Sequence, residues 1–252
     1  MVMYSRLLKM NVNVTSLTYV VSLIINKFVI NSHSSKYICV SNVHMCMETF
    51  DSDEYQKIIN SADIVVPDGR PLFLAQKLLG HNKAKQIRGI DLTLALCQKV
   101  SKRGIPIGFY GSTNNVLQKV ISNLNSDFKN LNVTYSFSPP FRKLSNLEDR
   151  KIVEEINASD AKILFVGLGC PKQEKWMAAH KDALQCTMIG VGAAFDFIAE
   201  NKKMAPVWMQ SIGLEWLFRL LSEPKRLWSR YLKHNPRFIW YFLLQLLGKK
   251  YD

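Results

Sequence analysis

From the N-terminal region to about residue 204, short apolar runs alternate with longer stretches whose apolar positions recur at helical spacing. The runs at 37–43, 64–66, 107–110, 133–137, 163–166 and 188–191 read as strands buried on both faces, because apolar residues follow one another instead of alternating with polar ones. Between them, a period near 3.6 predicts helices over 53–61, 71–79, 91–103, 115–124, 147–158 and 172–183. A further helix is predicted over 17–27, with Thr15 or Ser16 as its cap. Alternation of this kind builds a doubly wound, mostly parallel sheet with helices on both faces, a Rossmann-like α/β arrangement. From about Ala205 the strand signals vanish, and Trp, Leu, Arg and Pro dominate. The reading is an α/β core over 1–204 and a helical appendage over 205–252.

Composition narrows this picture only in places. At 252 residues with 48% hydrophobic content, the chain can bury a full core. A formal net charge of +13 points to an anionic partner, which nucleic acid, acidic lipid, pyrophosphate and nucleotide all satisfy. Cys39, Cys46, Cys97, Cys170 and Cys186 are odd in number and lack CxxC spacing, so they read as reduced thiols. No apolar run reaches the roughly 18–20 residues a membrane span needs. Arg6 and Lys9 precede an apolar stretch, but no small-residue cleavage site follows, so a signal peptide is not expected.

Ligands of open α/β sheets gather beyond the carboxyl ends of the strands, so the residues that follow each run are the candidate chemistry. These are Pro67-Asp68-Gly69-Arg70-Pro71, Gly111-Ser112-Thr113, Gly167-Leu168-Gly169-Cys170-Pro171-Lys172-Gln173-Glu174, and Gly192-Ala193-Ala194-Phe195-Asp196. Neither Gly-x-Gly pair completes a dinucleotide fingerprint, and no Walker lysine pattern occurs. Asp68 has two readings, a turn or helix-capping carboxylate and a general base. Arg88 and Asp91 form a second pairing near a helix start, where Asp91 is the expected N-cap and Arg88 meets either a phosphate or a carboxylate. The histidines at 33, 44, 81, 180 and 234 show no metal-binding spacing, so no metal and no cofactor are expected.

Seven ordered blocks carry a family resemblance over roughly 12–238. They are Val40-Ser41-Asn42-Val43-His44, Ala62-Asp63-Ile64-Val65-Val66-Pro67-Asp68-Gly69, Arg88-Gly89-Ile90-Asp91-Leu92, Gly108-Phe109-Tyr110-Gly111, the 167–176 block through Lys175-Trp176, Gly190-Val191-Gly192-Ala193-Ala194-Phe195-Asp196, and Gly213-Leu214-Glu215-Trp216-Leu217-Phe218-Arg219-Leu220. Pro224, Arg226 and Arg230 follow the last. The chain resembles the WecG/TagA/CpsF glycosyltransferases. That resemblance implies a metal-independent, inverting transfer from a UDP-sugar to an undecaprenyl-pyrophosphate-linked sugar, at the cytoplasmic face of the cytoplasmic membrane. It implies Asp68 as the base, Gln173 as an active-site contact, and Arg219, Arg226 and Arg230 near phosphates of donor or acceptor. Ser41, Asn42, Gly111, Gly167, Gly169, Lys172 and Asp196 complete the expected substrate-binding set with Arg88 and Asp91. Where some relatives carry a threonine ahead of the aspartate, this chain has Cys39-Val40-Ser41-Asn42. Its Asp-Gly-x-Pro form resembles the exopolysaccharide branch more than the teichoic-acid branch. The resemblance leaves self-association open, since some relatives associate through the core.

The C-terminal segment bears on the membrane part of that expectation. Arg219, Arg226, Arg230 and Arg237 are spaced 7, 4 and 7, one face of a helix. Pro224 and Pro236 predict two or three shorter helices over one long one. Basic residues interleaved with Trp216, Trp228, Tyr231, Phe238, Trp240, Tyr241 and Phe242 suit an element lying on an anionic membrane surface, with an amphipathic helix packed on its own domain as the alternative. A nucleic-acid platform would use the same charge and aromatics, but it leaves the glycine turns unexplained and no RNP, KH or zinc motif occurs. A non-catalytic nucleotide or sugar-phosphate module on the same fold is the remaining alternative.

Overall fold

The computed structural model describes residues 3–31 and 34–251. Its centre is a six-stranded, wholly parallel sheet in the order β4-β3-β8-β7-β5-β6. The strands are β3 (Lys36–Ser41), β4 (Ile64–Pro67), β5 (Ile107–Gly111), β6 (Val133–Phe137), β7 (Ile163–Gly167) and β8 (Thr187–Gly190). Strand side chains alternate between faces. Ile38, Val40, Ile107, Phe109, Ile163 and Phe165 therefore enter one core, and Tyr37, Cys39, Tyr110, Leu164 and Val166 the other. Helices α1 (Leu17–Leu23), α5 (Gly89–Ser101), α6 (Asn114–Asp127) and α9 (Ala194–Ile198) cover the first. Helices α2 (Val43–Asp51), α3 (Asp53–Asn60), α4 (Arg70–Leu78), α7 (Asn146–Ala158) and α8 (Lys172–Ala179) cover the second. One strand departs from expectation. β6 lies at the sheet edge with alternating exposed and half-buried residues, whereas β4 at the other edge is buried throughout.

Three local features were not foreseen. An antiparallel hairpin, β1 (Tyr4–Leu7) and β2 (Met10–Asn13), packs Leu7, Leu8, Met10 and Val12 into the second core. Val43, read as the end of a strand, instead opens a helix over 43–51, since Asn42 accepts the backbone N–H of Met45 at 3.2 Å and caps α2. Past Leu23, α1 widens into a π-helical stretch over Ile24–Ile30, and Ser16, not Thr15, caps its start.

Two glycines are fixed by close packing. Gly111 has φ +119°, and a Cβ there would lie 2.6 Å from the backbone carbonyl carbon of Gly167. A Cβ on Gly167 would lie 2.5 Å from the Phe195 ring. Positive φ alone costs about 1–3 kcal/mol for a non-glycine residue. Gly111→Ala is therefore expected to destabilise by more than about 3 kcal/mol once the backbone clash is added, measured as the shift in urea midpoint at constant m.

The appendage forms α10 (Val207–Ile212), α11 (Glu215–Ser222) and α12 (Pro224–Leu246). Pro224 starts α12, where a missing N–H costs nothing. Pro236, expected to break the segment, lies inside this 23-residue helix. Packing on both sides of it holds the helix together. Leu227, His234, Phe238 and Phe242 are buried, Arg237 makes a two-pronged ion pair with Asp51 of α2 at 2.6 and 2.9 Å, and Gln245 bonds the hairpin at Leu8 N and Arg6 O.

Candidate active site

The carboxyl ends of β3, β4, β7 and β8 open into one cavity of about 780 Å³, roofed by α10–α12. Asp68 sits at its floor. Its backbone N–H bonds Ser41 O at 2.8 Å, and its carbonyl accepts Gln86 Nε2 at 2.7 Å, so the turn is rigid. Oδ1 accepts the N–H of Gly89 at 2.9 Å. Among the described residues, Oδ2 has no hydrogen-bond partner. Burial pushes the carboxyl up to about 6, against the pull of the Gly89 N–H and Arg219, with Glu215 adding to the rise. The two readings of Asp68 are thus compatible, one oxygen capping α5 and the other facing the cavity.

That cap corrects the expectation for Asp91. Helix α5 starts at Gly89, two residues earlier than predicted, with Arg88 at the N-cap position. Asp91 instead holds Arg88, with contacts of 2.7 and 2.8 Å to Nε and Nη2. Arg88 Nη1 donates to Gln210 Oε1, and Arg70 Nη1 to Gln210 O at 2.6 Å. Arg88 therefore ties α10 to the core.

Gln173 is fixed from behind. Its Oε1 accepts the N–H of Gly169 at 3.1 Å, and its Nε2 donates to Glu174 Oε1 at 2.7 Å. Tyr55 donates to Glu174 Oε2 at 3.0 Å. Burial raises the Glu174 carboxyl, while bonds from Gln173 and Tyr55 oppose the rise. A Cβ on Gly190 would come within 3.0 Å of Gln173 Nε2, so that glycine makes room for the amide.

Three arginines face the cavity from the roof. Arg219 lies 5.3 Å over the Phe197 ring and Arg230 Nη2 donates to Asn42 Oδ1 at 3.2 Å, yet the Nε of each is buried without a partner among the described residues. Burial lowers Arg230 below its ordinary value. Arg226 pairs with Glu223 at 2.6 Å. Among the described residues neither Arg219 nor Arg230 makes an ion pair with a carboxylate, which suits a site for an anion.

The Glycosyl transferase WecG/TagA/CpsF family model matches residues 5–252. The chain belongs to this family. Similar proteins include an N-acetylglucosaminyldiphosphoundecaprenol N-acetyl-beta-D-mannosaminyltransferase of Bacillus spizizenii, 29% identical over 211 residues, 83% of this chain and 79% of the relative. Proteins of the same name from Bacillus subtilis, at 27% over 82% of this chain and 79% of the relative, and from Staphylococcus aureus, at 28% over 84% and 82%, are also similar.

Of the residues expected from the WecG/TagA/CpsF resemblance, Asp68, Asn42, Arg88, Gly169, Gln173, Arg219, Arg226 and Arg230 line one cavity. The others lie off its wall. Ser41 is buried, with its Oγ donating to Val66 O at 2.8 Å and its carbonyl holding the Asp68-Gly69 turn. Gly111 and Gly167 serve strand packing. Lys172 is exposed at the start of α8, and Asp196 pairs with Lys202 at 2.6 Å. Sequence reasoning missed Gln210, Glu215 and the Tyr55–Glu174 support; Glu174 was visible in its block, but nothing marked it as buried. It also missed His44 and His234 on the cavity wall, and of the five histidines His33 lies outside the described residues.

Proposed function

We propose that the chain transfers a hexose-type sugar, with inversion, from a UDP-sugar to a saccharide linked to undecaprenyl pyrophosphate, in the assembly of a bacterial exopolysaccharide or other cell-surface polymer. One observation carries the reading: among the described residues, Asp68 Oδ2 has no hydrogen-bond partner at the floor of a cavity whose roof holds Arg219 and Arg230 without carboxylate partners. The names of the relatives supply the lipid diphosphate acceptor. The acceptor hydroxyl oxygen attacks C1 of the donor sugar, and the bond from C1 to the β-phosphate oxygen breaks. UDP leaves with the electron pair, and the hydroxyl proton passes to Asp68. A single displacement inverts C1. Guanidinium groups neutralise the departing diphosphate, the role Mg²⁺ plays in other transferases. Purified protein is expected to release UDP from one donor of a UDP-sugar panel only when a lipid-pyrophosphate saccharide is present, without stimulation by added Mg²⁺ or Mn²⁺. Release that ignores the acceptor, or no release with any donor while UDP still binds, would reject this reading.

The same reading places the protein peripherally at the cytoplasmic face of the membrane. Among the described residues no helix is long and apolar enough to cross a membrane. Yet Val207, Trp208, Trp216, Trp228, Ile239 and Trp240 are exposed on α10–α12 beside basic side chains. Such a surface suits anionic lipid, each basic residue contributing about 1 kcal/mol. Replacing Trp228 and Trp240 together by Ser is expected to cut co-sedimentation with anionic liposomes at least tenfold, each buried aromatic being worth about 1.5–3 kcal/mol. Unchanged co-sedimentation would count against this face.

A further inference from the structure

His44 lies in the first turn of α2 and Glu48 one turn later, so both project from one helix face. Helix α12 crosses that face and sets His234 against them. One ligand atom from each of the three lies within 4.8 Å of the others. Glu48 Oε1 is 3.5 Å from His44 Nε2 and 4.0 Å from His234 Nε2. The rings meet edge to face, with centroids 4.9 Å apart. These separations are longer than good hydrogen bonds, about 2.7–3.2 Å. Two ligands on a tetrahedral ion with bonds of about 2.0–2.2 Å lie roughly 3.3–3.6 Å apart, a spacing the His44–Glu48 pair meets and the His234–Glu48 pair exceeds by about half an ångström.

A second, independent observation concerns the rings. His234 is 4% exposed, and both rings turn Nε2 toward Glu48 Oε1 at distances beyond a good hydrogen bond; Nδ1 of each is buried with no hydrogen-bond partner among the described residues and stays outside the ligand set. Packing alone gives two imidazoles no reason to face a carboxylate there without bonding it. Arg230 and Lys233 are the cations nearest the two rings. Imidazole coordinates metals in its neutral form. The surrounding cations oppose an added positive charge. Arg237 is matched by Asp51, however, and Glu48 adds a carboxylate to the cluster.

We propose that His44, Glu48 and His234 bind one first-row transition ion of the zinc class, with three protein ligands and the remaining position toward the cavity, and that this ion clamps α12 to α2. Two imidazoles and a carboxylate suit such an ion, whereas Mg²⁺ takes oxygen ligands. The clamp is separate from the transfer chemistry. Its role is to fix the helix that carries Arg226 and Arg230, whichever sugar is moved.

Full-length protein stripped by a chelator and titrated calorimetrically with zinc chloride is expected to bind about one ion per chain, without competition from Mg²⁺. Zinc should raise Tm and slow amide exchange within α12. Cobalt(II) in its place should give visible d–d absorption without a thiolate charge-transfer band. Glu48→Gln, which preserves shape, and His234→Ala should each weaken zinc binding by more than about 100-fold, since even outer-sphere partners contribute about 10–100-fold. Cys170→Ser should leave it unchanged. No saturable binding by the wild-type chain, or unaltered affinity in both ligand variants, would overturn the site. A thiolate band lost in Cys170→Ser would overturn the proposed ligand set.

Discussion

Asp68→Asn is expected to lower the transfer rate about 10²–10⁴-fold, the usual worth of a positioned general base, while leaving UDP binding and the fold intact. Asn retains an oxygen for the Gly89 N–H, so the cap on α5 survives and only the proton acceptor at Oδ2 is lost. The pH profile gives a second signature. A carboxyl raised to about 6 is protonated, and useless as a base, below that value. Wild-type kcat/KM should therefore rise through an acidic limb near pH 6, a limb absent from the residual activity of Asp68→Asn. Stability should move the opposite way. Holding an ionised, buried carboxylate opposes folding above pH 6, and the penalty fades as pH falls through 6 toward the ordinary value of 3.8. Asp68→Asn should consequently melt higher than wild type at pH 8, and the advantage should vanish near pH 4. Wild-type turnover by the folded variant would remove Asp68 from the chemistry.

Arg230→Ala is expected to cost about 10²–10³-fold in kcat/KM, the scale seen when one preorganised donor to a developing negative charge is removed. The loss should fall mainly on kcat if Arg230 meets the departing diphosphate, and on KM if it holds the acceptor. Lysine should restore activity only in part, because its ammonium cannot reproduce the planar fork that reaches Asn42 and the cavity together. Arg226→Ala should cost less, since Glu223 already offsets that charge. Equal kcat/KM for wild type and Arg230→Ala would show that the diphosphate is neutralised elsewhere.

Much of the fold is legible because parallel strands buried on both faces leave nearly unbroken apolar runs, as in β3, β4, β7 and β8. The N-terminal hairpin is not, because its strands are four residues long and its turn passes through Leu8 at φ 55° without a glycine to mark it. Helix α2 was hidden because its start follows β3 directly, with Asn42 as the sole intervening residue. Asp68 and Gln173 could be found from their place after strands. Glu174 and Tyr55 could not, as their significance is burial against each other across 119 residues of sequence.

What the sequence by itself determined is the set of elements and the loops between them. Periodicity fixes which residues point inward, and turn chemistry fixes where the chain reverses. It also supplied the blocks that carry the family relationship. Only the tertiary structure decided which of the candidate residues meet. Arg88, read as a phosphate ligand or an ion-pair partner, became the tie between Asp91 and Gln210. Pro236 was held within a helix by Phe238, Phe242 and the Arg237–Asp51 pair. His44 and Glu48 lie one helical turn apart, but nothing local links them to His234, which is brought by a helix that crosses theirs. Such meetings depend on long-range packing, where the burial of one face selects partners that local pattern cannot name.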